Sequence, residues 1–156
     1  MNIRRATPGD LTAVNKLLLQ VLTVHHEGRP DLFKAGTKKY TDEELLAIFA
    51  DDTRPVFVAE ENGEVTGYAF CVFQRQVDNN ILTDVKTLYI DDLCVDEDHR
   101  GQGIAKALYR HVADYAKSAD CSFITLNVWC GNAGAMKFYE NAGLTPRSIT
   151  MEMKLC

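Results

Sequence analysis

The sequence lacks the features that define several classes of protein. None of its five cysteines (Cys71, Cys94, Cys121, Cys130 and Cys156) forms a CxxC pair, which argues against a zinc site or a disulfide framework. No apolar run approaches the roughly 18 residues that cross a bilayer, and the first ten residues have no signal-peptide core. These absences predict free thiols in a reducing compartment, no metal, no membrane association and a cytoplasmic location.

An excess of positive charge is also missing. The 156 residues carry 17 Lys and Arg against 22 Asp and Glu, which gives a formal net charge of -5. General nucleic-acid binding needs a basic face, so no nucleic-acid partner is expected. The hydrophobic fraction of 46% is typical of a globular protein, and the length favours a single domain over residues 1–156.

Hydrophobic periodicity predicts six strands and four helices. Thr7 and Pro8 are suited to begin a first helix that runs to about residue 25, and Thr41 with Glu44 forms a capping box for a second. Asn62-Gly63 predicts a hairpin, because both residues tolerate positive φ. The other predictions are strands near 1–7, 54–61, 64–75, 86–95, 122–129 and 148–155 and helices near 42–50, 103–117 and 133–142. The order β-α-α-β-β-β-α-β-α-β describes an α/β sandwich around a mixed, mostly antiparallel sheet.

The stretch HRGQGIA, where a predicted strand gives way to a helix, is suited to holding an anion. Helix N-termini present unpaired N–H groups and partial positive charge. Gly101 and Gly103 let the backbone approach a ligand closely, and Arg100 adds a fork of donors. A plain strand-to-helix connection would explain the same residues. The spacing excludes a dinucleotide fingerprint, because Lys106 replaces the third glycine, and it excludes a P-loop, because no Gly-Lys-Ser/Thr follows.

The pattern Arg100-x-x-Gly103-x-Ala105 resembles the acetyl-CoA-binding motif of the Gcn5-related N-acetyltransferase (GNAT) family. Downstream, GNAGAMKFYENAGL resembles the other cofactor-side helix of that family, and it contains Asn132 and Tyr139. The order of elements is also that of the family, so the resemblance covers essentially the whole chain. It implies a GNAT-type acyl-CoA N-acyltransferase fold of the α/β (α+β) class. That fold has a mixed, mostly antiparallel sheet of six to seven strands flanked by about four helices.

The resemblance also implies acetyl-CoA as co-substrate, with no metal, and assigns residues to it. The backbone of Leu93, Cys94 and Val95 would pair with the pantetheine arm, in a gap where the fourth and fifth strands part. Asn132 would bond the end of the pantetheine, and Tyr139 would stand at the thioester sulfur. The pyrophosphate would be held by the amides of Arg100, Gly101, Gln102, Gly103, Ile104 and Ala105.

Acetyl transfer to an amine needs a neutral amine, a stabilised carbonyl oxygen and a proton for the departing thiolate. Tyr139 is the candidate acid, because a phenol can give a proton to a thiolate, and a backbone N–H near residues 93–95 is the candidate oxyanion donor. Asp91 is the candidate base or amine anchor, with Asp92 in reserve, although ordered water could replace both. Because strands alternate faces, Asp91 and Asp92 are expected on opposite sides, without a shared role, unless a bulge intervenes.

The segment VLTVHHEGRPDLF lies where the family builds its acceptor wall. It supplies the candidate substrate-binding residues His25, His26, Arg29 and Phe33, although a solvated helix end is the alternative interpretation of the two histidines. The predicted function is transfer of an acetyl group from acetyl-CoA to a primary amine of a small molecule, peptide or protein, directly within a ternary complex. An acyl-CoA-binding module without turnover and an acetyltransferase acting on aminoacyl-tRNA are the alternatives, and a homodimer is left open.

Overall fold

The computed structural model describes all 156 residues, in two compact units that span Met1–Leu126 and Asn127–Cys156. The strands are β1 Asn2–Arg5, β2 Val56–Glu61, β3 Glu64–Gln74, β4 Thr87–Val95 and β5 Phe123–Leu126. The helices are α1 Leu11–Gly28, α2 Asp42–Phe49, α3 Ile104–Ser118 and α4 Ala133–Asn141. The first unit therefore contains the whole sheet and three helices, and the second contains α4. None of the helices is both long enough and apolar enough to span a membrane.

The sheet is mixed and mostly antiparallel, as predicted. Its strands lie in chain order, β1-β2-β3-β4-β5, with three antiparallel pairings and a parallel pairing between β4 and β5. The predicted Asn62-Gly63 hairpin joins β2 to β3, and both residues have positive φ, 52° and 79°. This two-residue turn matches the twist of the flanking strands, so it sets the β2–β3 register.

The predicted helix starts are confirmed in their hydrogen bonds. The Thr7 N–H donates to Asp10 at 2.8 Å in a short 3-10 turn that precedes α1. At α2 the capping box is complete, because the Glu44 N–H donates to the Thr41 hydroxyl at 3.1 Å and the Thr41 N–H donates to the Glu44 carboxylate at 3.2 Å. Helix α1 extends to Gly28, about one turn beyond the predicted end.

Helices cover both faces of the sheet. On one face α1 and α2 bury Leu17 and Leu45 against Tyr68 of β3, and on the other α3 buries Leu108 against Ile90 of β4. Gly67 of β3 permits this second contact. A Cβ there would lie 2.9 Å from a backbone oxygen of β4 and 3.1 Å from Leu108, so only glycine lets α3 pack this closely.

The strand predicted over residues 148–155 is absent, so the sheet has five strands and not six to seven. Residues 145–156 form neither helix nor strand. The alternating Ile149, Met151 and Met153 fit the period of a strand, but a strand also needs a neighbour for its N–H and C=O groups. Within Asn127–Cys156 the only regular element is α4, which offers no such partner. The number of helices, four, agrees with the prediction.

Candidate active site

The glycine turn that precedes α3 is open and rich in backbone donors. Gly101 and Gly103 have φ of 78° and 80°, a left-handed conformation that favours glycine, and a Cβ on either would meet nothing within 4 Å. The Ala107 N–H is the first in α3 to reach a carbonyl, that of Gly103, at 3.0 Å. The N–H groups before it belong to the unpaired first turn of a helix. This geometry fits an anion such as a pyrophosphate.

A buried carboxylate fixes the loop that leads to this turn. Asp96 is only 1% exposed and accepts hydrogen bonds from the Asp98 N–H and from the Lys16 ammonium of α1, each at 3.0 Å. Its own N–H donates to the Thr66 carbonyl of β3 at 2.8 Å. Burial opposes the charge of Asp96, but the Asp98 N–H and Lys16 outweigh it and lower the pKa of the carboxyl. The loop is thereby attached to both α1 and β3.

The end of β4 is paired on only one side within the first unit. Its pairing with β5 ends at Ile90↔Leu126, whereas its pairing with β3 continues to Val95↔Gly67. Residues 91–95 therefore extend beyond β5, which is the arrangement that the pantetheine assignment requires. The backbone is the only part of Cys94 suited to that role. Its buried thiol donates to the Leu17 carbonyl at 3.8 Å, and burial raises the pKa of Cys94 to about 12.

A β-bulge at Asp91, the exception that the sequence prediction allowed, interrupts the alternation between the two aspartates. Phe70 lies opposite Asp92 and the next residue of β3 lies opposite Ile90, so Asp91 is an extra residue without a partner. The regular alternation of faces therefore breaks at this point. The Lys39 ammonium lies 3.2 Å from Asp91 Oδ2. Burial opposes this ammonium, but the negative charges around it, that of Asp91 foremost and that of Asp92 as well, raise the pKa of Lys39. Both carboxylates thus act on one cation, and the bulge is the exception under which the sequence left a shared role open.

Asp92 has a hydrogen-bond partner that the sequence did not reveal. The Tyr68 hydroxyl, on a fully buried side chain, donates to Asp92 Oδ2 at 2.6 Å. Burial raises the pKa of Asp92, although the hydrogen bond from Tyr68 and the charges of Lys39 and His25 oppose the rise. Burial and the charge of Asp92 also hold the pKa of Tyr68 well above its usual range. Nothing in the local pattern around Tyr68 or Lys39 marks them, because their partners are distant in sequence.

The predicted acceptor residues on α1 and the following loop divide into two groups. The rings of His25 and Phe33 lie 4.9 Å apart, and the charge of His25 acts on Asp92. His26 Nδ1 lies 2.7 Å from the Phe33 carbonyl oxygen, and Arg29 bonds the nearby Asp31 at 2.9 Å. His25 therefore acts on Asp92, whereas the bonds from His26 to Phe33 and from Arg29 to Asp31 lie within their own segment.

In the second unit, Asn132 and Tyr139 lie on the predicted helix. Asn132 is the N-cap of α4, where its side-chain oxygen accepts the Ala135 N–H at 3.1 Å. Tyr139 packs edge-on against Phe138, with ring centroids 5.0 Å apart. Gly143, which follows the end of this helix, has φ of 100°, a left-handed conformation that favours glycine. The assignments of Asn132 and Tyr139 to the cofactor stay predictions.

The chain belongs to the acetyltransferase (GNAT) family, which its residues 21–144 match. It is 31% identical over 122 residues to an uncharacterized N-acetyltransferase of Methanocaldococcus jannaschii, covering 76% of this chain and 51% of that protein. It is 33% identical over 120 residues to N-acetyltransferase 8B of Homo sapiens, covering 72% and 51%. The chain thus spans about half the length of these two relatives.

A solved structure matches the fold along the full chain. A mutant of the BH1408 protein from Bacillus halodurans has a TM-score of 0.95 and 30% identity to this chain, with 100% of both chains covered. The family match and this likeness together establish an α+β fold of the GNAT family.

Proposed function

We propose that this chain transfers the acetyl group of acetyl-CoA to a primary amine, directly within a ternary complex. The observation that carries the proposal is the open, left-handed turn at Gly101 and Gly103, which presents the first amides of α3. It follows the end of β4, beyond the bulge where two carboxylates act on one ammonium. An anion site and an amine site thus lie along one strand.

The cofactor would be held mainly by backbone. The amides of residues 100–105 would bind the pyrophosphate, with the Arg100 guanidinium adding charge. Ile104 is only 2% exposed and packs in the core, so its side chain is not available to the cofactor. The backbone of residues 93–95 would lie along the pantetheine, and Asn132, whose side-chain oxygen caps α4, would contribute through its amide nitrogen.

The reaction forms one bond and breaks another. The neutral amine attacks the carbonyl carbon of the thioester, so a C–N bond forms, the C–S bond breaks, and coenzyme A leaves as its thiol. The acceptor ammonium first gives a proton to Asp91 or Asp92 or to water, and Tyr139 gives one to the thiolate. The nitrogen loses its second proton on becoming an amide, and that proton restores Tyr139. A backbone N–H near residues 93–95 would stabilise the carbonyl oxygen as charge develops.

The acceptor is a cationic amine of a small molecule, peptide or protein. The negative Asp91 and Asp92 favour an ammonium, as the Lys39 ammonium beside them illustrates. The cytoplasmic location stays a prediction, and a homodimer stays open.

The test is thiol release from acetyl-CoA across polyamines, aminoglycosides, amino acids and short peptides, combined with calorimetry. Gly103→Glu should abolish acetyl-CoA binding, because it places a negative side chain in the pyrophosphate turn. Gly63→Glu is the matched control, since Gly63 has nearly the same φ, 79° against 80°, and equally open space, but lies in the β2–β3 hairpin. Tyr139→Phe should lower kcat while acetyl-CoA affinity stays constant.

If Gly103→Glu and Gly63→Glu weakened acetyl-CoA binding equally, the loss would come from backbone strain and not from a pyrophosphate site at Gly103. Binding of acetyl-CoA without thiol release, whichever amine is offered, would identify a binding module without turnover.

A further inference from the structure

The hydrogen bond between Tyr68 and Asp92 joins two polar groups inside an apolar layer. Tyr68 is fully buried among Leu17, Leu45 and Phe70, and its ring meets Phe70 edge-on at 4.9 Å. A buried hydroxyl needs a partner, and Asp92 supplies it at 2.6 Å. Asp92 Oδ2 accepts this bond, so Oδ1 has more of its lone pairs available to accept from an ammonium. Tyr68 thus sets the orientation of the carboxylate.

The two aspartates of the bulge differ in the charge of their partners. Asp91 has a side chain that is 31% exposed, and its Oδ2 meets the Lys39 ammonium at 3.2 Å. A cation already neutralises Asp91, and an acceptor ammonium would have to compete with it. Asp92 meets a neutral hydroxyl in place of a cation at hydrogen-bond distance. Proton transfer is favoured at a carboxylate whose charge is incompletely balanced.

We propose that Asp92, and not Asp91, receives the proton of the acceptor ammonium, and that Tyr68 is the residue that positions it. This inference rests on the proposed acetyltransferase function. The N–H bond of the ammonium breaks, the proton binds Asp92 Oδ1, and the neutral amine then attacks the thioester. Asp91, together with Lys39, sets the local charge.

Every element packed around Asp92 contributes to its charge balance. Tyr68 of β3 donates to it, His25 of α1 and Lys39 of the segment before α2 act to lower its pKa, and Asp91 of β4 acts to raise it. Cys94, also of β4, is a thiol whose pKa burial raises to about 12, so it stays neutral. The surroundings of Asp92 therefore predict that two variants shift its pKa in opposite directions. Loss of the Tyr68 hydroxyl removes stabilisation of the carboxylate, whereas loss of the Asp91 charge removes repulsion.

The experiment is the pH profile of kcat/KM for acetyl-CoA with the best amine of the thiol-release panel. In Tyr68→Phe the acid limb should move to higher pH by about one unit, the value of one hydrogen bond to a charged group. In Asp91→Asn it should move to lower pH, and in Asp92→Asn it should disappear. Tyr40→Phe is the matched control, because Tyr40 also stacks on Phe70, at 6.0 Å, and should leave the limb in place.

The assignment to Asp92 would be overturned if Tyr68→Phe left the acid limb unmoved or if Asp91→Asn abolished it. A purely structural Tyr68 would lower activity equally at all pH values. Carbon NMR of the aspartate carboxyls separates this inference from the proposed function, because it needs no turnover. If no amine releases thiol, the proposed function fails. The role of Tyr68 then stands or falls on whether Tyr68→Phe raises the pH at which the Asp92 carboxyl titrates.

Discussion

Two aspartates four residues apart, Asp92 in β4 and Asp96 just beyond it, have surroundings that shift their pKa values in opposite directions. Burial opposes the charge of both. At Asp96 the N–H of Asp98 and the ammonium of Lys16 outweigh burial, and the pKa is lowered. At Asp92 the hydroxyl of Tyr68 and more distant cations do not outweigh it, and the pKa is raised.

The difference shows that the donors around a carboxylate, and not its residue type, decide what it can do. Asp96 is held ionised, so it serves as a fixed anchor between α1 and the loop that leads to the glycine turn. Asp92 is held nearer to its neutral form, so it can exchange a proton with a ligand. The surroundings of Asp96 stabilise the folded protein at neutral pH, whereas those of Asp92 destabilise it.

Asp92→Asn should have the largest effect on activity. We expect kcat/KM to fall about a hundredfold at pH 7, the scale of a lost general base, while Tm rises. Because the folded pKa of Asp92 lies above its unfolded value, ionisation costs stability as pH rises through the window between them. Asparagine does not ionise and can still accept from Tyr68. Thermal melts from pH 3 to pH 8 measure this, and retained activity with a lower Tm would contradict it.

Asp96→Asn should have the opposite effect on stability. Since the folded pKa of Asp96 lies below its unfolded value, its contribution is present at neutral pH and is lost as pH falls toward the folded pKa. The variant should therefore melt at lower temperature than the parent at pH 7, and the two melts should converge under acid.

Acetyl-CoA affinity reports whether Asp96 also positions the glycine turn. We expect it to fall about tenfold in Asp96→Asn, the equivalent of one lost hydrogen bond. Calorimetry measures the affinity, and Asp10→Asn is the control. Asp10 is another buried carboxylate with a lowered pKa, held by Arg4 at 2.8 Å, but it lies at the start of α1, away from the turn. If both variants weaken acetyl-CoA binding equally, the loss reflects general destabilisation.

The contrast between these aspartates also marks what the sequence could predict. The glycine turn was predictable, because Gly101, Gly103 and the start of α3 are local, and their backbone conformations follow from residue type. The hairpin at Asn62-Gly63 and the capping box of α2 were predictable for the same reason. Asp91 and Asp92 were identified as candidates, but their relation was not.

That relation depends on contacts between residues far apart in the chain. The bulge at Asp91 is a property of the β3–β4 register, which no single strand specifies. Tyr68 is 24 residues from Asp92, and Lys39 is 52 residues from Asp91. The prediction of a strand over residues 148–155 was wrong for a related reason. Alternation of side chains matches the period of a strand, but it does not supply the neighbouring strand that a sheet requires.

Lys39→Met should have the smallest effect, because it removes the cation that pairs with Asp91 and leaves both aspartates in place. Lys39 competes for Asp91 with an acceptor ammonium, so its loss should lower the KM of a cationic amine. The expected change is about two- to fivefold, because partly exposed ion pairs contribute little. Lys38→Met is the matched control: the adjacent Lys38 pairs with Asp42 at 3.1 Å, and its loss should leave KM unchanged. A raised KM in Lys39→Met alone would place Lys39 among the groups that hold the acceptor and not among its competitors.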